Sequence, residues 1–192
     1  MYQKKISELL TCAGKLQHSS YQQLCDRIVQ AVCRCLTNGN KLLFIGNGGS
    51  AAEAQHMAAE YCATLSSKNF RNGYKALALT TDTSFLTAWS NDFGFEDVFA
   101  RQIEVIGGKG DILFAYSTSG NSENIIRGAE MAKKGGLEVV AFTGIGEGKL
   151  DKFANYLFKS PSTDTARIQE MHTFFGHTIC SMVETDLGDI SY

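Results

Sequence analysis

Short apolar runs recur along the 192-residue chain, each followed by a loop and then by a helix-forming stretch. The clearest unit consists of the apolar run Leu42-Leu43-Phe44-Ile45, a glycine loop, and a helical pattern from about Ser50 to Leu65. Strands that are apolar on both faces are typical of a parallel sheet covered by helices on each side. The sequence therefore predicts an α/β fold, a doubly wound parallel sheet flanked by helices.

Two helices are predicted ahead of the sheet. Apolar residues from Ile6 to Leu16 recur at helical spacing, and Ser20 with Gln23 matches a capping box that would open a second helix. We expect residues 1–40 to form a helical extension packed on the domain or on a neighbouring subunit, and residues 1–192 to form a single domain. Further strands are predicted at 76–79, 112–116, 139–142 and 156–158, and further helices at 84–90, at 95–106, after Ser122 as far as Gly135, and at 166–187.

Composition and charge exclude several classes of function. Lys and Arg number 18 against 20 Asp and Glu, so the chain has no basic excess for nucleic acid. No apolar stretch approaches the ~20 residues that cross a bilayer, and residues 1–10 lack the apolar core of a secretion signal. The six cysteines contain no C-x-x-C pair and are expected as buried thiols. We therefore expect a soluble cytoplasmic protein that binds neither nucleic acid nor membranes.

A glycine loop, Gly46-Asn47-Gly48-Gly49-Ser50, separates the first predicted strand from its helix. Glycines let backbone N–H groups approach a ligand closely, and the start of a helix carries partial positive charge, so the loop favours an anion. It matches neither the G-x-G-x-x-G fingerprint nor a Walker loop, and a nucleotide is therefore not the favoured ligand. Taken alone, the loop is equally compatible with a plain glycine turn.

A second loop carries four hydroxyl groups, on Ser117, Thr118, Ser119 and Ser122, where another strand leads into a helix. Such hydroxyls beside a helix N-terminus suit a phosphate monoester, although similar clusters also occur as solvated loops or N-caps. Loops that follow parallel strands lie at one edge of the sheet, so we expect both loops to face one pocket. The pair of loops favours a small phosphorylated ligand.

Candidate acid, base and metal-ligating side chains lie on two predicted helices. His56 and Glu60 are four residues apart and share a helix face. Such a pair forms a surface ion pair, two metal ligands, or an acid–base group with an orienting partner. Gln169 and His177 are eight residues apart, about 12 Å along the last helix, so their spacing makes them a marginal joint ligand pair. A histidine among the apolar residues of that helix is ordinarily a hydrogen-bonded core residue.

The whole chain resembles the sugar isomerase (SIS) domain, and in particular the bacterial phosphoheptose isomerases. The resemblance rests on four ordered segments: GNGGSAAEAQHMAAE at 46–60, LTTDTSFLTAWSNDFGFEDVFARQ at 79–102, STSGNSENI at 117–125 and RIQEMHTFFGH at 167–177. It implies an SIS-type fold and the conversion of sedoheptulose 7-phosphate to D-glycero-D-manno-heptose 7-phosphate through an enediol. This is the first step toward nucleotide-activated heptose for a lipopolysaccharide core, a capsule or a similar surface glycan.

The resemblance also implies a role for particular residues. Glu60 would be the catalytic base and His177 its acid partner. One zinc ion per active site would be bound by His56, Glu60, Gln169 and His177. The resemblance thus makes Gln169 and His177 joint ligands, although their spacing alone makes them a marginal pair. The substrate would be bound by Asn47, Gly48, Gly49, Ser50, Glu60, Asn91, Asp92, Ser117, Thr118, Ser119, Ser122 and Gln169. Family members are homotetramers with active sites at subunit interfaces, and the same assembly is expected here.

Two departures from the family pattern bear on the substrate. Thr64 stands where many members have an arginine, and the nearest basic residues that could replace it are Lys68 and Arg71. Ala166 stands where some members have an aspartate, and Asp164 precedes it by two residues. These differences keep open an isomerase of another ketose phosphate.

An alternative of another class is a non-catalytic SIS tetramer that binds a protein, like the factor that associates with the replication initiator DnaA. That type lacks the glutamate that corresponds to Glu60. The presence of both Glu60 and His177 in this chain therefore favours an enzyme.

Overall fold

The computed structural model describes residues 1–66 and 71–188, and within these ranges it contains five strands and seven α-helices. The strands are β1 (Leu42–Ile45), β2 (Ala76–Ala78), β3 (Ile112–Tyr116), β4 (Glu138–Thr143) and β5 (Tyr156–Lys159). The helices are α1 (Tyr2–Lys15), α2 (Ser19–Thr37), α3 (Gly49–Cys62), α4 (Thr83–Phe93), α5 (Val98–Ile106), α6 (Glu123–Lys134) and α7 (Thr165–Leu187). This order confirms the predicted α/β architecture preceded by two helices.

The sheet is parallel throughout, in the order β2-β1-β3-β4-β5, and its strand order reverses at β1. In the register of the sheet, Leu43 of β1 lies opposite Leu77 of β2 on one side and Leu113 of β3 on the other. Ligands of doubly wound sheets bind beyond the carboxyl ends of the strands at such a reversal. The loops that follow β1 and β3 both begin there.

Both faces of the sheet are buried. Leu42 and Phe44 belong to a core cluster with residues of α2, α3 and α7, whereas Leu43 and Ile45 belong to a second cluster with residues of α5 and α6. Successive side chains of a strand point to opposite faces. A strand that is covered on both sides is therefore apolar at every position, as β1 is.

The N-terminal helices pack on the first of these faces, where both contact α7. Cys12 of α1 and Ile28 of α2 are buried in the cluster that also contains Phe175 of α7. The predicted capping box is wrong, because α2 begins at Ser19 and the imidazole of His18 accepts the hydrogen bond from the Ser20 N–H. His18 therefore takes the N-cap role that a serine or threonine more often has.

Several predicted boundaries also change. Helix α3 ends at Cys62 rather than near Leu65, and α4 extends to Phe93. The stretch predicted as a helix over 95–106 begins with a 3₁₀ turn, Phe95–Asp97, before α5. Among the residues described, the helices lack the length and apolar character needed to cross a bilayer.

The cysteines are free thiols, and most of them are buried as predicted. Burial raises the pKa of the Cys35 thiol to about 12, which keeps it protonated at neutral pH. Cys33 is half-buried and Cys62 is exposed, so the prediction is wrong for these two residues.

Candidate active site

Helices α3 and α7 lie side by side and run in the same direction through the candidate site. The facing pairs advance together along both helices and are Gly49 with Gln169, Glu53 with Thr173, and His56 with His177. Gly176 of α7 lies against Met57 of α3 in the same row. A Cβ added at Gly176 would lie 3.1 Å from the Sδ atom of Met57. The glycine allows the close approach, and the pairing brings side chains about 120 positions apart in sequence into one row.

His56, Glu60 and His177 form a compact cluster on this helix pair. The Nε2 atoms of His56 and His177 are 2.7 Å apart, and the Glu60 Oε1 atom lies 3.5 Å from His56 Nε2. One ligand atom of each residue lies within 4.8 Å of the others. Two imidazole nitrogens and a carboxylate oxygen are donors typical of zinc and other first-row metal sites. The cluster is therefore a possible metal-binding group that remains open to solvent at His56.

Gln169 lies elsewhere on the helix pair. Its amide packs on Gly49, where an added Cβ would lie 2.6 Å from Gln169 Nε2. Gly49 precedes His56 by seven residues, so this contact is roughly 10 Å along α3 from His56. Gln169 and His56 line the same open cleft, whose volume is about 430 Å³. Within one chain Gln169 thus borders the glycine loop, and its role as a metal ligand stays a prediction.

A reciprocal amide pair joins the glycine loop to the hydroxyl loop. Asn47 donates to Asn124 Oδ1 at 2.8 Å and accepts from Asn124 Nδ2 at 2.9 Å. Asn124 lies in the first turn of α6 and is buried, so the pair is fixed within the fold. The two predicted loops are therefore neighbours, and the partner residue Asn124 was not indicated by the sequence pattern.

The hydroxyl groups of the second loop differ in their surroundings. Ser117 is buried and donates to Ser122 Oγ at 3.3 Å, whereas Ser119 Oγ accepts from the Asn121 N–H. Ser122 is the N-cap of α6, yet within the described residues its side chain makes no capping hydrogen bond. The start of α6 can therefore offer N–H groups and a hydroxyl to an anion. Ser50, at the start of α3, is also buried.

The two predicted substrate residues on α4 lie at the surface. Asn91 donates to Asp92 Oδ1 at 2.8 Å, and both residues are exposed. In the part of the chain that the structure describes, no residue of α4 is buried, and Phe93 at its end is 66% exposed. Their proposed contact with substrate stays a prediction.

Arg71 and Lys68 are the two basic residues that could replace the family arginine. Arg71 is buried, and its guanidinium faces Glu184 and backbone carbonyls rather than an open cleft. It is therefore not available to a ligand in this structure. Lys68 lies outside the described residues. Asp164, which precedes Ala166 by two residues, caps α7 by accepting from the Ala166 N–H at 2.9 Å.

Glu53 is a further charged residue of the site that the sequence pattern did not indicate. Its carboxylate accepts a hydrogen bond from the Thr173 hydroxyl, across the helix pair. Burial raises its pKa above the usual value for a glutamate. Glu53 lies one turn before His56 on the same face of α3, and this helical spacing is the signal by which it could have been found.

His172 is a core residue rather than a ligand. It is 1% exposed, and its Nε2 atom lies 3.1 Å from the Thr143 carbonyl oxygen. A carbonyl only accepts, so Nε2 must carry the proton. Burial lowers the pKa of His172 from 6.5 to about 4, because the interior disfavours the charged imidazolium.

This burial predicts a pH dependence of stability. Between pH 6.5 and about 4 the unfolded chain binds a proton at His172 that the folded protein excludes. The free energy of unfolding should therefore fall by about 2 kcal/mol between about pH 7.5 and about pH 5 through this residue. Urea unfolding at both pH values checks it, with His172→Gln as the variant that keeps a donor but cannot titrate. Equal pH dependence in the two proteins would contradict this account.

The comparisons with known proteins agree with this geometry. The family profile of the SIS domain matches residues 1–144 of this chain. The phosphoheptose isomerase of Aquifex aeolicus (strain VF5) is 48% identical over 163 residues, which cover 85% of this chain and 84% of that relative. The chain belongs to the phosphoheptose isomerase family of SIS-domain proteins.

Solved structures lead to the same family. The phosphoheptose isomerase of Neisseria gonorrhoeae superposes with a TM-score of 0.87 at 35% identity, over 96% of this chain and 100% of that one. The phosphoheptose isomerase of Francisella tularensis superposes with a TM-score of 0.85 at 32% identity, over 96% and 94% of the two chains.

Proposed function

We propose that this protein converts sedoheptulose 7-phosphate to D-glycero-D-manno-heptose 7-phosphate. The observation that carries the proposal is the approach of Glu60 and His177 on the α3–α7 pair, in a member of the phosphoheptose isomerase family. The product would enter nucleotide-activated heptose synthesis for a lipopolysaccharide core, a capsule or a similar surface glycan. The reaction would take place in the cytoplasm.

The substrate phosphate is assigned to the hydroxyl loop, at Ser117, Thr118, Ser119 and Ser122, with Ser50 close by. The uncapped start of α6 supports this assignment, because its N–H groups and partial positive charge favour an anion. The sugar is assigned to Asn47, Gly48, Gly49, Asn91, Asp92 and Gln169. The amide pair between Asn47 and Asn124 supports a common site for both parts of the substrate, since it holds the two loops at a fixed separation.

The chemistry moves one proton between two carbons and one between two oxygens. A base removes a proton from C1 of the ketose, beside the C2 carbonyl, and an enediol forms; the proton then returns to C2. We assign the carbon-bound proton to the Glu60 carboxylate. His177 exchanges the proton between O1 and O2, since one imidazole nitrogen donates a hydrogen bond and the other accepts one.

We assign one zinc ion per active site to the cluster of His56, Glu60 and His177, with Gln169 as the predicted fourth ligand. Nitrogen ligands of tetrahedral zinc, each about 2.1 Å from the metal, lie roughly 3.4 Å apart. The two imidazoles, 2.7 Å apart at Nε2, therefore need to separate by less than 1 Å. Bound zinc would supply positive charge that stabilises a developing oxyanion.

We also propose a homotetramer with active sites at subunit interfaces. Two surfaces support assembly: the unburied helix α4, and an apolar cleft of about 800 Å³ between α1 and α7. Leu10 and Phe174, which line that cleft, are exposed in the single chain. Burial of such apolar surface favours association. An interface along α4 would also bring Asn91 and Asp92 to a neighbouring site.

A non-catalytic partner-binding role is not favoured. It would leave the close approach of Glu60 and His177 unexplained, whereas an isomerase requires both groups. The test of function is therefore also a test against that role.

Metal removal and restoration test the proposal. We expect the purified protein to form heptose 7-phosphate from sedoheptulose 7-phosphate, to lose at least about 10²-fold in rate after treatment with a chelator, and to recover on adding zinc. Product formation is measured by mass-resolved chromatography, with other ketose phosphates as parallel substrates. No heptose phosphate from the zinc-loaded protein would overturn the proposed function.

A further inference from the structure

We propose that Arg71 is a positioning residue for the Glu60 carboxylate, acting through the backbone of Glu60 and through Glu184 on α7. The inference rests on the proposed function, since it gives Arg71 a part in the isomerase reaction. It replaces, for Arg71, the expectation that this residue takes the place of the family arginine at the substrate.

The Arg71 guanidinium closes the end of α3. Its Nη2 atom donates to the Glu60 carbonyl at 2.9 Å, and its Nη1 atom donates to the Tyr61 carbonyl at 3.0 Å. The last carbonyls of a helix have no partner within the helix, and positive charge is favourable beside them. The last turn of α3, from Ala59 to Cys62, contains no basic residue. Arg71 therefore supplies from the following segment the cation that this helix end lacks.

Glu184 anchors the same guanidinium to α7. Its Oε1 atom accepts from Arg71 Nε at 2.7 Å and from the Leu65 N–H at 3.0 Å. The side chains of the pair are 3% and 11% exposed, so the ion pair is buried and each charge depends on the other. Glu184 lies seven residues after His177, two turns along the same face of α7. Arg71 and Glu184 thus fix the ends of the two helices that carry Glu60 and His177.

The surroundings of Arg71 argue against direct contact with substrate. Its guanidinium stacks over the Tyr74 ring, 4.0 Å from the centroid, and each of its three nitrogens donates to a group of the protein. The side chain could reach a sugar hydroxyl only by breaking the buried ion pair with Glu184.

Loss of the contacts of Arg71 with Glu184 and with the Glu60 carbonyl should displace Glu60 without altering the hydroxyl loop. The Glu60 carbonyl would lose its donor, and the last turn of α3 would separate from α7 near Glu184. A displacement of about 1 Å in a catalytic group can cost about 10²-fold in rate. The hydroxyl loop at 117–122 lies between β3 and α6, so phosphate binding should be retained.

The experiment compares Arg71→Met, Arg71→Lys and Glu184→Gln with the wild-type zinc-loaded protein, using sedoheptulose 7-phosphate with and without deuterium at C1. We expect Arg71→Met and Glu184→Gln to lower kcat by about 10- to 100-fold with KM within about 2-fold, and Arg71→Lys to recover part of the loss. The deuterium isotope effect on kcat should rise in both slow variants, because proton removal by Glu60 becomes rate-limiting. If the substitutions only reduced the fraction of folded protein, the apparent kcat would fall but the isotope effect would not change.

The matched control is Arg101→Met, which removes an exposed arginine paired with Glu104 and should leave kcat, KM and the isotope effect unchanged. A KM raised more than about 10-fold at unchanged kcat would mean that Arg71 binds substrate, and would overturn the inference. Unchanged kinetics in Arg71→Met would also overturn it. If Arg71→Lys and Glu184→Gln fail to fold, the pair serves stability alone and the inference is again wrong. An inactive wild type would instead contradict the proposed function.

Discussion

Replacing Glu60 by glutamine should lower kcat by about 10²- to 10⁴-fold while the protein keeps its fold and its oligomeric state. Glutamine has nearly the shape of glutamate but cannot accept the C1 proton of the ketose. The Glu60 side chain is 18% exposed and lies 3.5 Å from His56 Nε2 through its Oε1 atom, so the substitution introduces no clash. The measurement is steady-state turnover of sedoheptulose 7-phosphate, together with the exchange of its C1 hydrogen for solvent deuterium.

Two controls distinguish the proposed role of Glu60 as the catalytic base from its other proposed role as a metal ligand. Zinc content is measured on the same Glu60→Gln sample, and His56→Gln removes a proposed ligand without removing the base. If Glu60 is the base, Glu60→Gln that is fully loaded with zinc stays inactive. Wild-type turnover in that variant would exclude Glu60 from proton transfer. Glu104→Gln, on an exposed ion pair, should change nothing.

The fold could be predicted because its elements are local in sequence. Four successive apolar residues in β1 indicate a strand that is buried on both faces, and this pattern does not depend on distant contacts. The start of α2 was harder, because His18 caps the helix through its imidazole instead of a hydroxyl. The residue pattern indicates that a helix begins in such a region. It does not indicate which side chain accepts a hydrogen bond from the first N–H groups, because that depends on the side-chain rotamers.

The site could be predicted only in part, because its groups come from separate elements. His56 and Glu60 share one helix, so their spacing was informative. Arg71 and Glu184 are 113 residues apart, and no periodicity relates them. The same holds for Asn47 and Asn124, which meet only because β1 and β3 are neighbours. Spacing along α7 made Gln169 and His177 a marginal joint ligand pair, and the structure places the Gln169 amide against Gly49.

Substituting alanine for Gly46 should lower kcat/KM by at least about 10²-fold and destabilise the protein by about 1–3 kcal/mol. A Cβ at this position would lie 2.2 Å from the Ser50 carbonyl oxygen and 2.5 Å from its carbon, in the first turn of α3. Those atoms are backbone, so no side-chain rotation relieves the overlap. Either the end of β1 or the start of α3 must move, and with α3 move Gly49, His56 and Glu60. Turnover and urea unfolding of Gly46→Ala measure the two effects.

Gly146→Ala is the matched control, because a Cβ at Gly146 meets no atom of the described residues within 4 Å and the residue lies in another loop. Its stability should stay within about 0.5 kcal/mol of the wild type, and its kcat/KM should not change. A Gly46→Ala protein with normal turnover would mean that the loop and α3 can shift without moving Glu60 away from His177. The geometry of the helix pair would then not be set by the glycine loop, and the close contact of Gly46 with Ser50 would have no bearing on catalysis.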